Sequence, residues 1–350
     1  MSTKKKKFQP YTVRGIRILY ITLLCLLTVF SVSTVLILKA KEFALDTSYT
    51  GTWEQKQKIE ITKAETFPLG VFPQSETITE NPKVDSFFET HLSYTQKGGL
   101  DAKFTNHALA ILARFSWFQS LASPISRILV IEAGERKEQI ATNFGEILNW
   151  SDDQKNTFLI LITGSAPQIE EGKFFPGRYV VQKDASPEDI ARLLVANFQS
   201  EVLSHYPLEI SKVVPLQDAL IIASLLEREA YDFEDMRYIS GIIWNRLFSG
   251  MNLQLDASLQ YAKANESNES WWPQVIPKDK YIDSPFNTYE NEGLPPSPIA
   301  NPSGEAILAS LNPKQTDCIF YFHDQDGGFH CTTTYEEHVA LLKQYYGRGK

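Results

Sequence analysis

The chain has 350 residues, 43% of them hydrophobic and 22% charged, a composition that excludes both a disordered chain and a polytopic membrane protein. The formal charge of −8 is unevenly placed: residues 1–17 hold Lys4, Lys5, Lys6, Lys7, Arg14 and Arg17 with no acid, leaving 28 basic against 42 acidic residues in the remainder. A body carrying −14 is repelled by a phosphate backbone, which argues against nucleic acid as a partner.

Behind the basic tail, residues 18–38 (ILYITLLCLLTVFSVSTVLIL) contain no charge, proline or glycine. As a helix they span roughly 30 Å, the thickness of a bilayer core. Only Lys39 and Lys41 follow closely, so the positive side is N-terminal and the chain is expected to cross once, N-terminus in the cytoplasm and everything beyond residue 41 on the outer face. A cleaved signal peptide is the rival; its apolar region is usually shorter, roughly 7–15 residues, and no small-x-small site follows Leu38. Residues 39–126 are the least patterned part, a stalk or loose layer up to about residue 90 and then an apolar aromatic helix from Phe104 to Leu121.

Arg127–Glu132 predicts a strand, Gly134 breaks it, and residues 138–148 and 151–159 predict two helices, a small β-α-α unit within a subdomain over 127–185. Longer helices fill 186–350. Ser186-Pro-Glu-Asp189 opens one with a capping serine, a first-turn proline and two acids. Others are predicted over 216–230, 237–248, 304–311 and 335–345, with an irregular aromatic and proline-rich stretch between Gly250 and Pro302. A hairpin is predicted near 318–331. The fold class is α+β, with a mostly helical outer domain. Cys318 and Cys331 flank the hairpin; an oxidising compartment allows a cross-strand disulfide, and two free thiols are the alternative, since register decides between them. Neither the cysteines nor the six histidines have metal-binding spacing, so no metal or cofactor is expected.

Chemistry concentrates at the end of one helix. Ala219–Leu226 is apolar almost all round, which marks a buried helix. Glu227 and Glu229 follow it and flank its small-residue face, while Arg228 points away. A carboxyl held against apolar walls has a raised pKa, as a general acid on a glycosidic oxygen requires; two solvated charges at an exposed helix end are the plainer alternative.

Several ordered blocks resemble one family. Ala223-Ser-Leu-Leu-Glu227-Arg-Glu229 is followed by Asn245-Arg246-Leu247, Gly250-Met251 and Leu253-Gln254-Leu-Asp256. Then come Asn287-Thr288-Tyr289, Gly293-Leu294-Pro295-Pro296 with Ile299 and Pro302, and Gly327-Gly328-Phe329-His330 with His338. Upstream stands Glu171-Gly172 with Pro176 and Tyr179. Together they resemble the MltG/YceG-like endolytic murein transglycosylases, and the unit near 127–160 resembles that family's LysM-like subdomain. The resemblance implies a lyase that cuts the β-1,4 bond between N-acetylmuramic acid and N-acetylglucosamine inside glycan strands and leaves 1,6-anhydro ends.

It places the catalytic acid on Glu229, with Glu227 in reserve. Asn245, Gln254, Asp256 and Asn287 are candidates to bind glycan polar groups and Tyr289 to stack on a sugar, each with fold support as the alternative. His330 either lines the cleft or ends the hairpin. Trp271 and Trp272 are a possible stacking pair or packing. Peptidoglycan strands, the membrane and penicillin-binding proteins of the wall-synthesis machinery are the implied partners, and a non-catalytic glycan-binding scaffold is the alternative function. The chain departs from the family pattern at Leu255 and Ala257, where threonine and proline are usual around the aspartate, at Ala262, where glycine is common, and at Arg228, where lysine is usual.

Overall fold

The computed structural model describes residues 20–23, 49–50, 64–92, 107–108, 110–123, 125–164, 167–266 and 270–347. The chain divides into two compact units, Met1–Ser48 and Tyr49–Lys350. In the first, only 20–23 are described, and they are helical. The basic tail, Cys25 and the rest of the expected span 18–38 lie outside the described residues, and no helix among the described residues is long and apolar enough to cross a membrane.

The second unit opens with β1 (Tyr49–Thr50), and then a short antiparallel pair, β2 (Val71–Phe72) and β3 (Thr77–Ile78). The stalk reading fails for 64–92: Phe67, Val71, Val84 and Phe87 are buried in the main helical core. One backbone and one side-chain hydrogen bond fasten this segment, Gly70 N–H donating to Leu311 O at 2.9 Å and Asn312 Nδ2 to Pro68 O at 2.6 Å. The helix expected to run to Leu121 is broken before α1 (Ser116–Ala122), with Phe115 extended at φ −90° and ψ 125°. Buried Gln119 explains the break. Its amide donates to Ala113 O and Ile128 O, both at 2.7 Å, and accepts from Ile128 N–H at 2.9 Å, stitching the turn to the next strand.

That strand is β4 (Ser126–Ile131), followed by α2 (Lys137–Ile147), α3 (Asp152–Thr163) and β5 (Gly177–Gln182). Ser151 starts α3 with a reciprocal capping box to Gln154. β5 is the middle strand, antiparallel to β4 from Ser126↔Gln182 to Ile131↔Gly177 and parallel to β1. The predicted β-α-α run is therefore closed by a second strand into β-α-α-β. Leu129, Ile140, Phe144, Phe158, Ile162 and Tyr179 form its core.

α4 (Pro187–Glu201) begins at the Ser186 cap and joins two cores, giving Ile190 and Leu194 to the first and Phe198 to the second. The second core is built on α5 (Leu216–Glu229), α6 (Phe233–Phe248), α7 (Asp256–Glu266) and α8 (Gly304–Leu311). α6 starts a turn earlier than expected because Asp232 caps it, accepting from Asp235 N–H. α7 falls in the stretch read as irregular; its polar residues and small alanines blur the 3.6-residue period, although Ala257, Leu259, Tyr261 and Ala262 are buried. α8 has every residue buried, as does α5 from Ala219 to Leu226. The chain ends in the hairpin β6 (Phe320–His323) and β7 (Phe329–Thr332) and in α9 (Tyr335–Tyr346). Cys318 and Cys331 form a disulfide.

Candidate active site

Glu229 is the last residue of α5, and three elements meet at its carboxyl. Its Oε1 accepts the Ala257 N–H at 3.3 Å, at the start of α7, and its Oε2 accepts the Tyr321 hydroxyl at 3.1 Å, from β6. The residue keeps a partly accessible edge. Its carboxyl is nevertheless ringed by protein, and burial pushes its pKa up, opposed by those two donors. Nearby Asp256 raises it further and His323 lowers it. An acid of this kind holds its proton longer than a surface carboxyl.

Glu227 is different. Its Oε2 accepts from Ser303 N–H at 2.9 Å and from Ser303 Oγ at 2.6 Å, and Ser303 Oγ in turn accepts Ala306 N–H at 3.1 Å to cap α8. It is tied to helix capping. Arg228 does not point to solvent: its guanidinium lies 4.0 Å from the centre of the Trp272 ring.

The model of the YceG-like family matches residues 89–344. The chain belongs to the YceG-like family. Its relatives include an endolytic murein transglycosylase of Bacillus subtilis, 29% identical over 286 residues, covering 75% of this chain and 78% of that protein. Another, of Streptococcus pneumoniae, is 31% identical over 176 residues, covering 50% of this chain; the match spans only 32% of that longer relative. A crystal structure of a putative yceG-like protein from Listeria monocytogenes matches with TM-score 0.54 at 27% identity, covering 61% of this chain and 75% of that one.

The family's motif residues separate into two groups in this YceG-like chain. Asp256 and Gln254 are exposed on the approach to α7. Tyr289 joins them, its hydroxyl donating to Asp256 Oδ1 at 2.7 Å with Lys280 Nζ 4.6 Å from its ring centre. Gln254 has φ +51°, a left-handed conformation uncommon for a side-chain-bearing residue, fixed by its N–H donating to Thr288 O at 2.9 Å. The other group works inside the fold. Asn245 donates to Thr316 O at 2.7 Å and Cys318 O at 3.1 Å, fastening the chain that enters the hairpin. Asn287 is fully buried, donating to Lys280 O and Ile282 O at 2.9 Å and accepting from Tyr289 N–H at 3.0 Å. His330 lies on the hairpin face opposite Tyr321, with its ring against Phe322 and its Nε2 2.7 Å from Asp324 Oδ2; this is the hairpin-end position.

Ala257, a departure from the family pattern, supplies an N–H that a proline there lacks. Tyr321 and the Asp235–His323 pair escape sequence reading, whereas Arg246 belongs to the Asn245-Arg246-Leu247 block and has a structural role. Tyr321 touches Glu229 directly. The Asp235–His323 pair, at 2.8 Å, braces β6 against α6, and Arg246 donates to Ile319 O at 2.7 Å and to Leu253 O. Strand alternation in 320–323 was the available signal for Tyr321, but nothing in the sequence says which face meets α5. Trp271 and Trp272 lie close to Arg136 and Arg228 respectively. Among the described residues no three His, Cys, Asp or Glu side chains gather closely enough to hold a metal ion.

Proposed function

We propose that this protein is a membrane-anchored endolytic peptidoglycan transglycosylase, acting on nascent strands during wall synthesis. The observation that carries the reading is Glu229, a carboxyl whose charged form burial disfavours while an edge stays accessible. Membership of the YceG-like family and the names of the relatives support it. In this mechanism protonated Glu229 gives its proton to the glycosidic oxygen as the bond from that oxygen to C1 of N-acetylmuramic acid breaks. The C6 hydroxyl of the same sugar closes on C1, and its proton returns to the carboxylate. An intramolecular nucleophile needs no second acid to deliver water, unlike an ordinary glycosidase. The product has a 1,6-anhydro end and the enzyme is restored.

Exposed Gln254 and Asp256 and half-buried Tyr289 are assigned to glycan contact, and Asn245, Asn287 and His330 to holding the site's frame. The β-α-α-β unit is assigned the LysM-like role of retaining a strand. Residues 18–38 are assigned as the single anchor in the cell membrane, placing the catalytic domain on the periplasmic or external face beside penicillin-binding proteins.

The test is to incubate the full chain in detergent, as wild type and as Glu229→Gln, with uncrosslinked glycan strands and to weigh the new ends by mass spectrometry. Anhydromuramic ends made by the wild type alone are expected. Reducing ends would indicate a hydrolase, and strands bound but uncut by the wild type would indicate a glycan-binding scaffold.

A further inference from the structure

Tyr321 has no part in the reaction scheme above, yet it is the hydroxyl in contact with the acid. Its position comes from the hairpin. Tyr321 pairs with Cys331 across the β6–β7 ladder, its ring stacks on Phe329 at 6.0 Å, and it meets His323 edge-on at 6.3 Å. The alternate residues Phe320 and Phe322 face the other way, against Tyr335, His338, Tyr345 and Tyr346. The hairpin is closed by the Cys318–Cys331 disulfide and braced by His323 on Asp235 at 2.8 Å. A rigid strand thus delivers one phenol to one oxygen of Glu229, at 3.1 Å from Oε2.

Burial drives the Tyr321 pKa well above its ordinary value, and the neighbouring Glu229 charge adds to this, so the phenol stays a neutral donor. A donor on Oε2 makes that oxygen the poorer place for a proton. Oε1 has only the longer 3.3 Å contact from Ala257 N–H. We infer that Tyr321 is a positioning residue: its hydroxyl holds Oε2 of Glu229, so that Oε1 carries the proton to the leaving oxygen and takes back the proton of the C6 hydroxyl. The inference rests on the transglycosylase reading for the direction of those transfers, whereas the hold on Oε2 stands on geometry alone.

Removing the hydroxyl removes a stabiliser of ionised Glu229 and raises its pKa. The other groups that act on the carboxyl stay in place: Asp256 from α7, His323 from β6, Arg246 from α6, Arg228 beside it on α5, and Tyr289 from the loop after α7. Tyr289 donates to Asp256, and Asp235 acts on Tyr321 itself. The rate needs protonated Glu229, so it falls on the alkaline side as that group ionises.

The experiment compares the full chain in detergent, as wild type, as Tyr321→Phe, and with difluorotyrosine placed at position 321 alone, following anhydromuramic ends across pH. For Tyr321→Phe, kcat is expected to drop about tenfold, the worth of one hydrogen bond to a charged group, with KM unchanged and the alkaline limb moved to higher pH. Difluorotyrosine preserves the shape and strengthens the donor, so the limb moves to lower pH. A limb that stays in place in both variants overturns the inference, whatever happens to the rate. A second channel needs no turnover: the difference in urea midpoint between wild type and Glu229→Gln, followed against pH, reports the titration of Glu229. That titration should shift upward in the Tyr321→Phe background, and an unshifted one overturns the hold on Oε2. A wild type that makes no anhydromuramic ends removes the transglycosylase reading and, with it, the proton route through Oε1, but leaves the second channel to decide the hold.

Discussion

Glu227 and Glu229 stand two residues apart at the end of one helix and meet opposite surroundings. Glu227 serves the Ser303 cap of α8, accepting two donors from it. Glu227→Ala strands both donors and is expected to lower stability by roughly 1.5–3 kcal/mol, read from urea midpoints, whereas Glu229→Gln should melt at or above the wild type because it removes a charge that burial disfavours. Equal effects of the two substitutions would contradict the division of roles. A third carboxyl, Glu171, accepts from Lys137 N–H at 3.1 Å and Asn301 Nδ2 at 2.6 Å, yet its burial pushes its pKa up from 4.5 to about 8. The folded state then binds more protons than the unfolded chain across that window, so stability falls as pH rises through it. Glu135, raised to about 7 by burial, acts with the same sign. Urea midpoints are expected to decline from about pH 4.5 to about pH 8 and to decline less in Glu171→Gln; an unchanged slope would count against the assignment.

At the scale of elements the hairpin depends most on outside help. Strands of four residues do not hold together alone in water. Here Asp324 fixes the turn, accepting Gly328 N–H at 2.8 Å and Asp326 N–H at 3.0 Å, while Arg246 grips Ile319 and the disulfide closes a loop of sequence separation 13. Closing a loop of that length contributes about 3 kcal/mol in the chain-entropy picture. Cys318→Ser with Cys331→Ser should therefore lower the unfolding free energy from urea titration by an amount of that order. The unreduced wild type should show no alkylation at either position, and modified thiols there would end the disulfide assignment.

Across the whole second unit, two hydrophobic cores share α4 and are locked by one buried amide. Asn301 Oδ1 accepts from Gly172 N–H and Phe174 N–H, both at 2.9 Å, and its Nδ2 donates to Glu135 O at 2.9 Å and Glu171 Oε1 at 2.6 Å. The loop after α7 is thereby joined to the β-α-α-β unit. Gly172 adds a close approach: with φ +86°, a Cβ there would lie 2.7 Å from Pro298 Cγ. Asn301→Ala takes the acceptor from the Gly172 and Phe174 N–H groups and a donor from Glu171, and a loss of roughly 2–4 kcal/mol is expected, with faster proteolysis between 164 and 177. A variant as stable and as resistant as the wild type would show that the cores are held together elsewhere.

Most helices were legible in the residue order, because capping signals such as Ser186-Pro-Glu-Asp189 and apolar periods such as 219–226 are local. The pair of glutamates at the end of a buried helix was legible for the same reason. α7 was hidden by its weak period, and the core role of 64–92 by its short, turn-rich elements, whose burial depends on distant partners such as Leu311 and Asn312. Tertiary structure alone decided which glutamate caps a helix and which meets Tyr321, that Asn287 is spent inside its own loop, and that Cys318 faces Cys331. Those outcomes turn on contacts between residues far apart in the chain, and spacing along one element carries no record of what another element brings to it.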